Sequence, residues 1–123
     1  MREIKIEIGD VALCATLEDT PTADAIWAAL PLSVPVQTWG DEIYFDAPCD
    51  AREEPNAKDV VEPGEIAFWP GGQAIAIGFG PTPISQSGEC RLVSACNIWA
   101  RTTDDVQKLK SIRTGQLISI ERQ

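Results

Sequence analysis

PGEIAFWPGGQAIAIGFGPTPISQSG, residues 63–88, holds two strand-like runs, Glu65–Trp69 and Ala74–Phe79, joined by Pro70-Gly71-Gly72-Gln73. Alternating apolar and polar positions with a short glycine-bearing connection are the requirements of a β-hairpin. Gly80-Pro81-Thr82-Pro83 follows as a rigid corner, because two prolines remove backbone donors and end strand pairing. The segment carries no histidine, nucleophile or phosphate-binding loop, so it speaks to fold rather than to chemistry.

Working outward toward the N-terminus, Ile4, Ile6 and Ile8 alternate with Glu3, Lys5 and Glu7, and Gly9-Asp10 turns the chain. Val11, Leu13, Ala15 and Leu17 then share one face of a returning strand, with the other face toward water. Thr20 is an N-cap and Pro21 a first helical residue; Ala23, Ile26, Trp27 and Leu30 form one helical stripe that Pro31 stops. A single helix among strands suits the plug of a barrel end. Ser33–Thr38 reads as a strand that Pro35 demotes to an edge or a bulge. In Glu42–Asp46, Ile43 and Phe45 oppose Tyr44. Residues 47–62 are acidic and aperiodic and read as one long loop covering a barrel mouth.

Toward the C-terminus, Gln86–Arg91 reads as polar and irregular. Leu92-Val93 and Ala95–Arg101 resume a β pattern, with Ala95, Asn97, Trp99 and Arg101 on one face and Cys96, Ile98 and Ala100 on the other. Thr103 is positioned to cap a short helix over Asp104–Lys110, and a last strand covers Gln116–Glu121. These elements predict one domain over residues 1–123: mainly β, a closed antiparallel barrel of about eight strands with two short helices.

VEPGEIAFWPGGQAIAIGFGPTPIS resembles the core motif of a family of small cyclophilin-like proteins of uncharacterised function from bacteria and archaea. The matching positions are Gly64, Trp69, Pro70, Gly72, Phe79, Gly80, Thr82, Pro83 and Ser85, and the likeness extends to TADAIWAALP (22–31) and DEIYFDAP (41–48). The resemblance implies a cyclophilin-like barrel and nearly nothing about activity. Cyclophilin catalysis is organised by an arginine in an F-H-R context, an F-M-x-Q-G-G-D segment and a distal tryptophan and histidine. None of these is matched here: Gly71-Gly72-Gln73 reverses the order of the glycine pair, Arg52 lies in the acidic loop, and the chain has no histidine.

The net charge of −9 is unevenly spread: residues 41–65 hold nine acidic side chains against Arg52 and Lys58, a balance of −7, while residues 66–123 balance at +2. An acidic surface repels phosphate backbones, which argues against nucleic acid as a partner. No apolar run reaches membrane length and no leader precedes the first strand, so the expectation is a cytoplasmic protein with no membrane partner.

The absence of histidine excludes triads built on that residue. Glu53 and Glu54 are adjacent in a loop, a weak pattern for paired-carboxylate chemistry, and Asp46, Asp50 and Glu53 lack the spacing of a calcium loop. Cys14, Cys49, Cys90 and Cys96 contain no C-x-x-C pair, so no metal site and no cofactor are expected; four free thiols are expected, with a Cys90–Cys96 link as the alternative. Cys14 and Cys96 read as small packing residues.

The remaining constellation is aromatic and polar. Tyr44, Trp69, Phe79 and Trp99 supply apolar faces, and Gln73, Thr82, Ser85, Asn97 and Arg101 supply donors and acceptors, the mixture found in binding pockets. These nine residues are the candidate ligand contacts. Against them stands the plain alternative that Trp69 and Phe79 fill the barrel, Thr82 and Ser85 stabilise the corner, and Arg101 pairs with an acid. The leading expectation is a non-catalytic module binding a small molecule or peptide. A divergent prolyl isomerase, with Arg101 as its only stand-in donor, and an assembly protein forming a homodimer are the other readings.

Overall fold

Strict alternation in the first seventeen residues becomes an antiparallel hairpin of β1 (Glu3–Ile8) and β2 (Val11–Leu17), with Ile6 opposite Leu13. All three isoleucines of β1 and the four odd-numbered apolar residues of β2 are buried, whereas their neighbours face out. The computed structural model describes all residues from Met1 to Gln123. Helix α1 (Pro21–Ala29) begins where expected: the Ala23 amide donates to Thr20 Oγ1 at 3.1 Å, and Pro21 occupies the first turn. Ala23 and Ile26 enter the core, and the guanidinium groups of Arg2 and Arg122 lie 5.7 and 5.0 Å from the Trp27 ring centroid.

The remaining strands are β3 (Leu32–Pro35), β4 (Gln37–Thr38), β5 (Glu42–Asp46), β6 (Lys58–Val61), β7 (Glu65–Trp69), β8 (Ala74–Gly78), β9 (Cys90–Arg101) and β10 (Leu117–Arg122). The sheet runs in the order β3-β10-β1-β2-β9-β7-β8-β5-β4, all antiparallel, with β6 added on β9. Its two end strands, β3 and β4, are consecutive in the chain and separated only by Val36, whose amide donates to the Gln116 carbonyl at 2.9 Å. The sheet therefore curls into a nearly closed barrel, and the proline-broken segment at residues 32–38 is its seam.

The barrel has ten strands where about eight were expected, for two local reasons. Pro35 splits one expected strand into β3 and β4. The acidic segment, expected to be loop throughout, pairs its last residues as β6 with β9, which itself begins at Cys90 rather than Leu92. The second helix is a 3-10 helix over Val106–Ser111, capped by Asp105 rather than Thr103. The residues just before it are engaged elsewhere: the Asp104 carboxylate accepts from the Cys14 amide at 2.8 Å, and the Thr102 hydroxyl donates to the Cys14 carbonyl at 2.6 Å. Cys14 is exposed, so it is not the packing residue its apolar neighbours suggested, and all four cysteines are free.

Two apolar clusters form on opposite faces of the same strands. The main core fills the barrel with Ile43, Phe45, Ile66, Phe68, Ile75, Ile77 and Trp99 among others. A second cluster of Val61, Ala67, Ala76, Cys90, Leu92, Cys96 and Ile98 lies on the outer face, roofed by β6 and the first half of β9. The alternation expected of β7 and β8 gives way to burial on both faces, which suits their nearly continuous apolar sequences EIAFW and AIAIG.

Candidate functional site

The outer face of β5, β8 and β7 carries small side chains at its centre. Tyr44 on β5 stands opposite Ala76 on β8, Ala76 stands opposite Ala67 on β7, and Trp69 stands opposite Ala74. A floor of alanines flanked by larger groups makes a trough, and β9 raises its far wall with Leu92, Val93 and Cys96. The result is a pocket of about 290 Å³ lined by Trp39, Glu42, Tyr44, Trp69, Ala74, Ala76, Leu92, Val93 and Cys96. That volume lies at the small end of the roughly 300–1,000 Å³ typical of ligand sites.

Local structure holds the aromatic walls. The turn after β4 brings the Trp39 amide to the Glu42 carbonyl at 2.9 Å, with Gly40 at φ 59, a conformation glycine adopts without strain. The β7–β8 turn lies against the Trp69 indole: a Cβ at Gly72 would overlap the ring, and one at Gly71 would sit 3.0 Å from its Nε1. The glycine pair thus lets the turn fold beneath Trp69. The Tyr44 hydroxyl donates to Gln37 Oε1 at 2.9 Å, fixing that ring from the seam strand.

Glu42 is the one charged residue in this lining. It is only 4 % exposed, and its Oε1 is buried with no hydrogen-bond partner. Burial pushes its carboxyl up from 4.5 to about 7. Burial likewise drives the Cys96 thiol up to about 12, with the Glu42 charge adding to the effect, so this cysteine stays a neutral apolar wall.

The family model described as cyclophilin-like matches residues 2–121. This chain belongs to the cyclophilin-like family. Among solved structures, the solution structure of the hypothetical protein AF2241 from Archaeoglobus fulgidus is 35% identical with a TM-score of 0.82, over 99% of this chain and 95% of that one. McbB, determined in complex with tryptophan, is 14% identical with a TM-score of 0.73, over 98% of this chain but 44% of McbB, a likeness of fold. Among the curated proteins none matches.

Within this cyclophilin-like barrel the nine residues singled out from sequence are dispersed. Only Tyr44 and Trp69 line the pocket. Trp99 is fully buried in the barrel core, where its Nε1 donates to the Ala67 carbonyl at 3.2 Å, and Phe79 is buried in the same core. Asn97 is buried too: its side-chain amide donates to Thr22 Oγ1 and the Arg52 carbonyl, both at 2.8 Å, and its Oδ1 accepts from the Glu54 amide at 2.8 Å. Thr82 and Ser85 close the proline corner, with Ser85 Oγ accepting from the Thr82 and Arg91 amides at 2.9 Å each and the Thr82 hydroxyl donating to the Arg91 carbonyl. Gln73 donates to Asp50 across the loop.

Arg101 is tied to Glu18 and, at 2.9 Å, to Glu65, which Lys58 also meets at 2.7 Å. The expected alternation that put Arg101 beside Asn97 and Trp99 fails because Ala67 pairs with Ile98 while the adjacent Ile66 pairs with Ala100. Trp99 is therefore the extra residue of a bulge. It keeps both Trp99 and Ala100 in the core and turns Arg101 to the outer side, where it shares a shallow surface with Ile98 and Lys58.

Sequence reasoning missed Trp39, Glu42, Ala74, Ala76, Leu92, Val93 and Cys96. The signal available was the A-x-A spacing of Ala74 and Ala76, which put two small residues on one face of a strand beside aromatic neighbours.

Proposed function

We propose that the chain is a non-catalytic module that binds a small molecule in the outer-face pocket. The observation that carries this reading is the buried, unpartnered Glu42 Oε1 within a lining that is otherwise apolar. Folding leaves such an acceptor orphaned only at a cost of about 1–3 kcal/mol, and a ligand donor removes that cost. Aromatic walls around one placed polar group are the usual composition of a ligand site. The small volume favours a compact molecule over an extended peptide. That the same fold is found in McbB, a protein determined with tryptophan, is compatible with this use of the barrel.

A second reading, in which Glu42 accepts a proton in a reaction, is favoured by its pKa of about 7. Binding remains the better reading because the lining offers no partner for such a base: Cys96 is held as a thiol, and the Tyr44 hydroxyl is engaged by Gln37. A fragment screen followed by amide and indole NMR shifts tests the proposal. Shifts should centre on Trp39, Trp69, Ala76 and Leu92 and vanish in Ala76→Phe, which fills the trough. Shifts centred on Thr82–Ser85 or around Arg101 would overturn it.

A further inference from the structure

We infer that the pocket selects an organic cation, a compact apolar molecule whose protonated amine meets the Glu42 carboxylate while its body lies among Trp39, Tyr44 and Trp69. The inference rests on the small-molecule reading above and names the ligand class.

Three observations converge on a cation. First, the orphaned atom is an acceptor, so the group that satisfies it must be a donor. An ammonium supplies both the donor and the countercharge that a buried carboxylate lacks; none of the chain's ion pairs uses Glu42. Second, the walls include two indoles and a phenol, whose π faces are negative and attract cations, most strongly in a desolvated site. Third, the lining contains no lysine or arginine, and the strand that carries Glu42 is flanked by Asp41 and ends in Asp46. An anion would enter a negative field with no partner. A neutral carbonyl compound facing a protonated Glu42 is the competing ligand class, and it would bind without needing a positive charge.

The test uses three probes that share a phenylethyl body, on the full chain at pH 8: 2-phenylethylamine, 2-phenylethanol and 3-phenylpropanoate. Binding is read from the indole N–H signals of Trp39 and Trp69. The amine should bind about tenfold or more tighter than the alcohol, with the propanoate weakest. In Glu42→Gln the amine should lose that preference and fall to within about twofold of the alcohol measured on the same variant. An alcohol or propanoate that binds the native protein as tightly as the amine overturns the cation inference and leaves the pocket reading standing. A preference that survives Glu42→Gln overturns it as well. If none of the probes shifts the Trp39 or Trp69 signals, the pocket reading itself falls. The probe ranking on the native protein decides the matter even where Glu42→Gln folds poorly.

Discussion

The Asn97 side chain donates to Thr22 Oγ1 at 2.8 Å, joining the barrel wall on β9 to the first turn of helix α1. Glu54, from the acidic loop, completes the arrangement. Its Oε2 accepts from the Thr22 amide at 3.1 Å and from the Thr22 hydroxyl at 2.5 Å, while its own amide donates to Asn97 Oδ1. A carboxylate at a helix N-terminus is also favoured by the helix dipole. One buried amide therefore holds together strand β9, helix α1 and the acidic loop.

Replacing Asn97 by Leu leaves the Glu54 amide and the Arg52 carbonyl without their partner. The expected loss of stability is about 2–3 kcal/mol, read by chemical denaturation. A loss under about 0.5 kcal/mol would show that this network is dispensable.

Glu42 should make the protein's stability depend on pH in a window of its own. Its carboxyl is raised from 4.5 in the open chain to about 7 in the folded state, so the unfolded chain releases its proton first. Below pH 4.5 the group is protonated in both states and carries no ionisation penalty; between that point and about pH 7 the native protein loses stability, and above it the penalty is constant. The full difference should be about 3 kcal/mol. The groups that share this environment are Asp41, Cys90 and Cys96, and the Glu42 charge raises both thiols. Comparing denaturation of the native chain and Glu42→Gln from pH 4 to 8 isolates the term. A difference between them that does not change with pH would contradict the burial of this carboxyl.

Gly72→Ala puts a methyl group where the Trp69 ring now lies. Overpacking of this kind costs about 1–3 kcal/mol, and here the side chain that must yield is a pocket wall. The Trp69 indole N–H signal should move, and binding of any pocket ligand should weaken. An unchanged Trp69 signal would show that the turn does not set the ring.

Arg101, the single arginine that sequence offered as an isomerase donor, is held by Glu18 and Glu65. Its guanidinium pKa is raised first by the bond it donates to Glu18 and then by the one it donates to Glu65, and burial of Glu65, which alone would raise that carboxyl, is outweighed by the Glu62 amide, Lys58 and Arg101. A donor neutralised by two acids is poorly suited to a prolyl carbonyl. The native chain should not accelerate isomerisation of a proline tetrapeptide above background, and Arg101→Ala should lower stability by about 1–2 kcal/mol through the buried Glu65. Rate enhancement lost in Arg101→Ala would reinstate the enzyme reading.

The thiols should separate by accessibility. Cys14 is exposed and Cys90 and Cys96 are buried, and burial raises the pKa of Cys90 and Cys96. A thiol reagent at pH 8 should label Cys14 promptly and the buried pair only after denaturation. Equal rates at all sites would mean that the outer roof of β6 and β9 opens readily.

The early hairpin and the helix start were legible because their causes are local. A period of two puts Ile4, Ile6 and Ile8 on one face whatever else the chain does, and Thr20 caps α1 through a bond three residues away. The glycine- and proline-rich motif around Trp69 likewise announced the barrel, since turns are specified by the residues in them. The candidate site was legible only at Tyr44 and Trp69. Alternation assigns faces but not which face a distant strand will cover. Glu42 sits on the outer side of β5, a position that strand periodicity gives to solvent, and it is buried only where the pocket between Trp39, Trp69 and Leu92 closes around it. Arg101 left the face of Asn97 because one residue, Trp99, was inserted against β7. A bulge and a roof strand are settled by the pairing partner, through hydrogen bonds and apolar contacts made across dozens of residues, and no window of sequence around Glu42 or Arg101 contains that partner.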